Sequence, residues 1–214
     1  MVVFCVCSRE ENDVNTYKVK LRFTEPMLGA IPLDPDVYEE HGPGANDEAN
    51  TDELDTVIEP LDENKGVTGF HKLDDGTPIE YDYVIKGFFK DSCRMLRRVK
   101  GSESSKIKAF LKVIDGLVFV SPRRIVVQLP EGCDGNNLEI LSRPLRASTA
   151  QGERIALAHS EMAPVGSTMK FEVEVMDGVT EKALREWLDY GKRRGMRQWR
   201  NAGYGVFTYE MTAL

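Results

Sequence analysis

The chain has 214 residues, 41% of them hydrophobic, enough for one large domain or a domain carrying a substantial insertion. It has no apolar run of bilayer-spanning length, and the start, MVVFCVC, is too short for a secretory apolar region and has no basic residue before it, so a cytoplasmic protein without a membrane partner is expected. The net charge of −7 does not exclude nucleic acid, because it is uneven: residues 34–82 hold 2 basic and 16 acidic side chains (−14), residues 83–214 hold 22 basic and 15 acidic (+7), and binding follows the local field.

MVVFCVC reads as a buried or edge strand. Cys5, Cys7, Cys93 and Cys133 form no CxxC pair and have no histidine at zinc-like spacing, so free buried thiols are expected. Residues 16–24, TYKVKLRFT, alternate Tyr17, Val19, Leu21 and Phe23 with Lys18, Lys20 and Arg22, which predicts a strand with one apolar and one basic face. A loop with Gly29 and two prolines follows. Residues 34–82 form a long acidic insertion of low periodicity, with a hairpin expected over 66–77 that ends at Asp75-Gly76.

Residues 83–99 place Ile85, Phe88, Phe89, Ser92, Leu96 and Val99 at helical spacing, beside a ridge of Lys86, Lys90, Arg94 and Arg98, joined by Arg97. A second helix is expected over 102–116, stopped by Gly116. The stretch 117–129 reads as two strands or one bent strand interrupted by Pro122. A short strand over 138–142 precedes a polar loop over 143–153 that carries Arg143 and Arg146. Residues 154–160 are extended, and 168–176, TMKFEVEVM, alternate as a strand. Thr180 caps a helix expected to end at Gly191.

The segment GKRRGMRQWRNAGYGVFTYE then combines Gly191, Gly195, Gly203 and Gly205 with Lys192, Arg193, Arg194, Arg197 and Arg200, and with Trp199 and Tyr204. Backbone N–H groups of such a loop can form an anion nest, arginines hold phosphates, and an aromatic face carries a base. A glycine-rich turn with a solvated basic rim is the plainer reading. The order of elements predicts an α+β, ferredoxin-like (RRM-like) βαββαβ core. It would carry an antiparallel sheet, extra hairpins and the acidic insertion, all within a single 1–214 domain.

Four stretches resemble the RAMP superfamily of CRISPR-associated proteins, in particular the repeating backbone subunit of effector complexes. They are the first strand ending in FTEPMLG, GTPIEYDYVIKGFFKDSCRMLRR, SRPLRASTAQGERIALAHSEMAPVGSTMKFEVEV, and LREWLDYGKRRGMRQWRNAGYGVFTYE. Residues 84–90 stand where the family has a Pro-Gly-Ser-Ser-Leu-Lys-Gly-like run, without its hydroxyls. The resemblance implies RNA contacts at Lys86, Lys90, Arg94, Arg143, Arg146, Arg193, Arg194, Arg197 and Arg200, with Trp199 or Tyr204 stacking. The implied partners are guide-type or single-stranded RNA and other effector subunits or further copies of this chain.

No P-loop, Gly-x-Ser-x-Gly or metal cluster is present, so no cofactor and no catalytic residue is assigned. His41, His71 and His159 are far apart in sequence. His159, beside Ser160 and Glu161, is the best placed for acid–base work, and Asp34 and Asp36 follow the first loop. Three readings stand: a non-catalytic RNA-binding subunit, a phage-encoded backbone-subunit mimic that binds or inhibits a host complex through protein contacts, and a metal-independent endoribonuclease.

Overall fold

The computed structural model describes residues 14–33, 67–149 and 152–214; the expected N-terminal strand, Cys5, Cys7, His41, Asp34 and Asp36 lie outside them. In chain order the strands and helices are β1 (Asn15–Phe23), β2 (Met27–Leu28), β3 (Ile31–Pro32), β4 (Val67–Gly69), β5 (His71–Lys72), β6 (Pro78–Tyr81), α1 (Asp82–Leu96), α2 (Glu103–Lys106) and α3 (Phe110–Leu117). They continue with β7 (Val118–Ser121), β8 (Arg124–Gln128), β9 (Glu139–Thr149), β10 (Gly152–Ala163), β11 (Thr168–Val175), α4 (Glu181–Arg194) and β12 (Phe207–Ala213).

The main sheet runs β12–β1–β11–β8–β6–β5, with β7 also paired to β11. Its first four positions, β12, β1, β11 and the β7–β8 pair, are antiparallel neighbours. With α1 after β1 and α4 after β11, this is the ferredoxin-like βαββαβ arrangement. Two excursions decorate it. The first, between β1 and α1, supplies β2 to β6, and its β6 and β5 extend the sheet beyond β8. The second, between β8 and β11, is the β9–β10 hairpin, which forms a smaller sheet with β2, β4 and β3.

The period-two pattern explains the sheet. Tyr17, Val19, Leu21 and Phe23 of β1 and Met169, Phe171, Val173 and Val175 of β11 are buried under the helices, while the residues between them face outward. Pro122 falls in the gap between β7 and β8, so the 117–129 stretch is two strands along one edge of β11. α1 buries Ile85, Phe88, Phe89, Ser92 and Cys93, and α4 buries Ala183, Leu184, Trp187 and Leu188. Phe89 meets Trp187 at 5.4 Å, and Phe88 meets Phe207 at 5.6 Å, so aromatic contacts bind the helices to each other and to the sheet.

Five expectations need correction. The polar stretch 143–153 is mostly strand: β9 and β10 pair from Gly152↔Thr149 to Met162↔Glu139, and backbone pairing there replaces the apolar alternation that marks a strand in sequence. The 102–116 helix is two helices, broken where Ala109 adopts φ +48°. Val99 is 54% exposed, because α1 stops at Leu96. Cys133 is exposed, whereas Cys93 is buried as expected. Gly191 does not end α4, which continues to Arg194 and is capped by Gly195. Gly191 is there for space: a Cβ would strike the Phe207 and Phe88 rings. Within the acidic span, residues 71–81 form the β5–β6 hairpin around Asp75-Gly76, closed by Leu73 N–H to Thr77 O at 2.9 Å.

Candidate nucleic-acid interface

The glycine-rich segment between α4 and β12 folds into a knot held from inside. Met196 is buried, and its N–H donates to Gly205 O at 3.0 Å, while Gly205 N–H donates to Pro26 O at 2.8 Å. Gly205 has φ +70°, and a Cβ there would collide with the Met196 carbonyl. Gly195 and Gly203 also have positive φ; so do Arg197 (φ +67°) and Trp199 (φ +55°), a conformation that costs a side-chain-bearing residue about 1–2 kcal/mol.

Contacts to other elements hold these two residues in place. Arg197 Nε donates to Glu80 Oε1 at 2.6 Å; the Arg197 side chain is 11% exposed and Glu80 of β6 is fully buried. Glu80 Oε2 and Arg197 Nη2 are buried with no hydrogen-bond partner among the described residues. Burial pushes the Glu80 carboxyl up from its ordinary range and Arg197 pulls it back, with burial the larger influence.

Trp199 takes part in a three-layer stack. The Arg143 guanidinium of β9 lies 4.8 Å over the Trp199 ring, and Trp199 stacks on Tyr204 at 5.2 Å with planes 15° apart. Arg143 Nη2 donates to Gln198 Oε1 at 2.8 Å, which also accepts from Ser160 Oγ at 3.4 Å. Arg143 is 6% exposed, and its Nε and Nη1 have no hydrogen-bond partner among the described residues. Burial disfavours its charge. A guanidinium so enclosed is costly without an anion, and the chemistry it invites is a phosphate or carboxylate oxygen.

The other expected contacts divide in two. Arg200 reaches Asp91 of α1 at 2.5 Å, Arg194 donates to Asn201, and Lys90 pairs with Asp115 at 2.6 Å. Lys86 donates to Asp115 O at 3.3 Å and lies over the Phe119 ring. Arg193 is exposed, Arg94 is half-buried, and Arg146 sits on β9 opposite Ile155. The structure thus brings Arg143, Trp199 and Tyr204 together and turns Arg197 inward toward Glu80.

A second basic surface was only half visible in the sequence. From Arg97 to Lys112, around α2 and the ends of α1 and α3, the exposed side chains include Arg97, Arg98, Lys100, Lys108 and Lys112, with Glu103 the one acidic residue in that stretch. Arg97 and Arg98 belonged to the expected ridge. The remaining lysines lie on separate short elements either side of the break at Ala109, where the Arg97 guanidinium lies 4.8 Å over the Phe110 ring and ties the end of α1 to the start of α3. On the open face of the sheet, Lys18 pairs with Glu172 and Lys20 with Glu210, each at 3.7 Å.

The residues weighed for chemistry have structural partners. His159 Nδ1 shares a 2.7 Å hydrogen bond with Ser142 Oγ, its cross-strand neighbour. Glu161 accepts from Lys72 at 2.5 Å and from Phe70 N–H at 3.1 Å, joining β10 to the first excursion. Among the described residues there is no group of three or more His, Cys, Asp or Glu side chains able to hold a metal, and no helix long and apolar enough to cross a membrane.

The sequence matches no protein-family model and no curated protein. Solved structures do resemble the fold. A chain of a type III-B Cmr-beta complex bound to cognate target RNA superposes with a TM-score of 0.51 at 13% identity, over 94% of this chain and 61% of that one, so this chain spans less than two thirds of that neighbour. A chain of a type IV-B CRISPR complex superposes with a TM-score of 0.50 at 12% identity, over 92% of this chain and 90% of that one. The likeness is one of fold, and it agrees with the ferredoxin-like arrangement expected from the sequence.

Proposed function

We propose that the chain is a non-catalytic, RAMP-like subunit that binds an RNA backbone within a CRISPR-type ribonucleoprotein, alongside other subunits or copies of itself. The observation that carries this reading is the pairing of that fold with a dense exposed basic surface. Arg97, Arg98, Lys100, Lys108 and Lys112 are exposed along one stretch of chain with a single acidic residue, and Arg193 adds an exposed cation at the end of α4. Arg143, Arg146, Arg194, Arg200, Lys86, Lys90 and Arg94 complete the proposed contacts, with Trp199 and Tyr204 as aromatic support. Arg197 contributes by holding the loop through Glu80. Its place in the proposal is therefore positional.

Phosphate contacts of this kind are indifferent to sequence and sensitive to salt. Arg97→Ala/Arg98→Ala and Arg193→Ala/Arg194→Ala should each weaken binding to every single-stranded RNA tried. Each should flatten the plot of log affinity against log salt by about 1.4, two contacts at about 0.7 apiece. Unchanged affinity and slope in both variants would remove the backbone-binding reading. The −14 charge of residues 34–82 favours a second reading, a subunit mimic that meets a basic groove in a partner complex. Deleting residues 36–64 should leave RNA binding equal or tighter under the first reading and abolish partner binding under the second.

A further inference from the structure

On the face of the sheet opposite the helices, the added strands carry an aromatic cluster at one end. Register places them there. Ile125 and Val127 of β8 point into the core, so Arg124 and Val126 point away from it. Tyr81 pairs with Arg124 and Ile79 with Val126, and His71 pairs with Ile79, so all five share the outward face. Tyr83, in the first turn of α1, stacks on Tyr81 at 5.5 Å with planes 13° apart, and His71 meets Tyr81 edge-on at 4.8 Å. Tyr83 remains 47% exposed. His71 and Tyr81 of the ladder line an open groove together with Lys72, Asp74, Asp75 and Arg124. Arg123 and Arg124 are exposed, and the Arg123 carbonyl accepts from Asp82 N–H at 3.0 Å, which fixes the start of α1 beside them.

We propose that the Tyr83–Tyr81–His71 ladder is a base-stacking subsite for single-stranded RNA, with Arg123 and Arg124 serving the adjoining phosphates. The subsite rests on the RNA-binding reading and adds to it a contact to the bases on the sheet face. Every base offers a π face, so a stacked tyrosine pair receives one without choosing its identity. Arg124 stands opposite Tyr81 in the β6–β8 register, which sets a phosphate contact beside the stacked rings. The central strands offer no such platform: the outward positions of β1 and β11 are all threonine, lysine, arginine or glutamate, from Thr16 to Arg22 and from Thr168 to Glu174. Burial, then Arg197 and Arg124, hold the His71 pKa below its usual value, so at neutral pH the ring meets a base uncharged.

The test compares a labelled oligouridylate with an abasic ribose-phosphate oligomer of equal length, by fluorescence anisotropy at fixed salt. The wild-type chain should prefer the oligouridylate by about tenfold. Tyr83→Ala should erase that preference and keep the salt slope, Tyr83→Phe should retain it, and Arg124→Ala should weaken both ligands alike. If the wild type binds both oligomers equally, or if Tyr83→Ala keeps the preference, the subsite is wrong and the backbone reading survives. If the wild type binds neither oligomer at low salt, both fall. A change of self-association in Tyr83→Ala with unaltered base preference would assign the ladder to a protein contact and overturn the proposal.

Discussion

Breaking the Glu80–Arg197 pair should damage the fold in a way that depends on pH. Arg197→Ala leaves a carboxylate inside the protein with its charge-assisted partner gone, and such losses cost about 3–5 kcal/mol. The cost has a ceiling, because Glu80 can escape by taking up a proton. Its pKa already lies above the ordinary carboxylate value, and losing Arg197 lifts it further. A group whose folded pKa exceeds its unfolded one favours the fold at acidic pH, and that contribution is lost as pH rises through the raised value. Arg197→Ala should therefore be least damaging below about pH 4.5 and most damaging at neutral pH and above. Glu80→Gln/Arg197→Ala should regain part of the loss at neutral pH, since no charge is then buried. Arg197→Gly should lose about 1–2 kcal/mol less than Arg197→Ala, because glycine accepts the +67° backbone. Urea unfolding of the four chains across pH reads all of this. A neutral-pH loss below about 0.5 kcal/mol in Arg197→Ala, or a loss that does not change with pH, would show that the pair does not anchor the loop.

Gly191→Ala separates a helix stop from a packing site. An exposed helical glycine replaced by alanine gains up to about 1 kcal/mol, whereas here the new methyl meets Phe207 and Phe88, and a net loss of about 1–3 kcal/mol is expected in urea unfolding. A stabilised variant would contradict the packing. Trp187 is fully buried and donates Nε1–H to Ser104 Oγ at 2.9 Å, which in turn donates to Glu186 at 2.5 Å. Trp187→Phe keeps most of the apolar area but drops this donor, so thermal unfolding should show a loss of about 1–3 kcal/mol, smaller than the 3–5 kcal/mol expected for Trp187→Ala. A Trp187→Phe loss near zero would mean that the hydrogen bond adds nothing.

The core of the fold was legible because its pattern is local. The alternation in residues 16–24 and 168–176, the stripe from Ile85 to Phe89 and the Thr180 cap each state an element within one short window. The β9–β10 hairpin was not, because the pairing of Arg143 with Ala158 or Ser142 with His159 is a property of two segments, and neither alternates alone. The site shows the same division. Glycines, arginines and aromatics between α4 and β12 identified a special loop. That Arg197 turns inward to Glu80, 117 residues earlier, while Arg143 comes across to Trp199, depends on tertiary contacts that composition does not encode. The aromatic ladder at Tyr81 and Tyr83 stayed hidden in the sequence for a related reason. Alternate positions of a strand end and the first turn of a helix share a face only once β6 is seen to pass directly into α1.

The central claim is that the exposed cations of this chain hold RNA. The most direct test is the absorbance ratio at 260 and 280 nm of the full chain purified at low salt, followed by extraction and nuclease digestion of whatever accompanies it. Co-purified, ribonuclease-sensitive RNA of defined length that leaves the protein at high salt is the predicted result. A protein-only spectrum, with no binding to added single-stranded RNA at low salt, would contradict it.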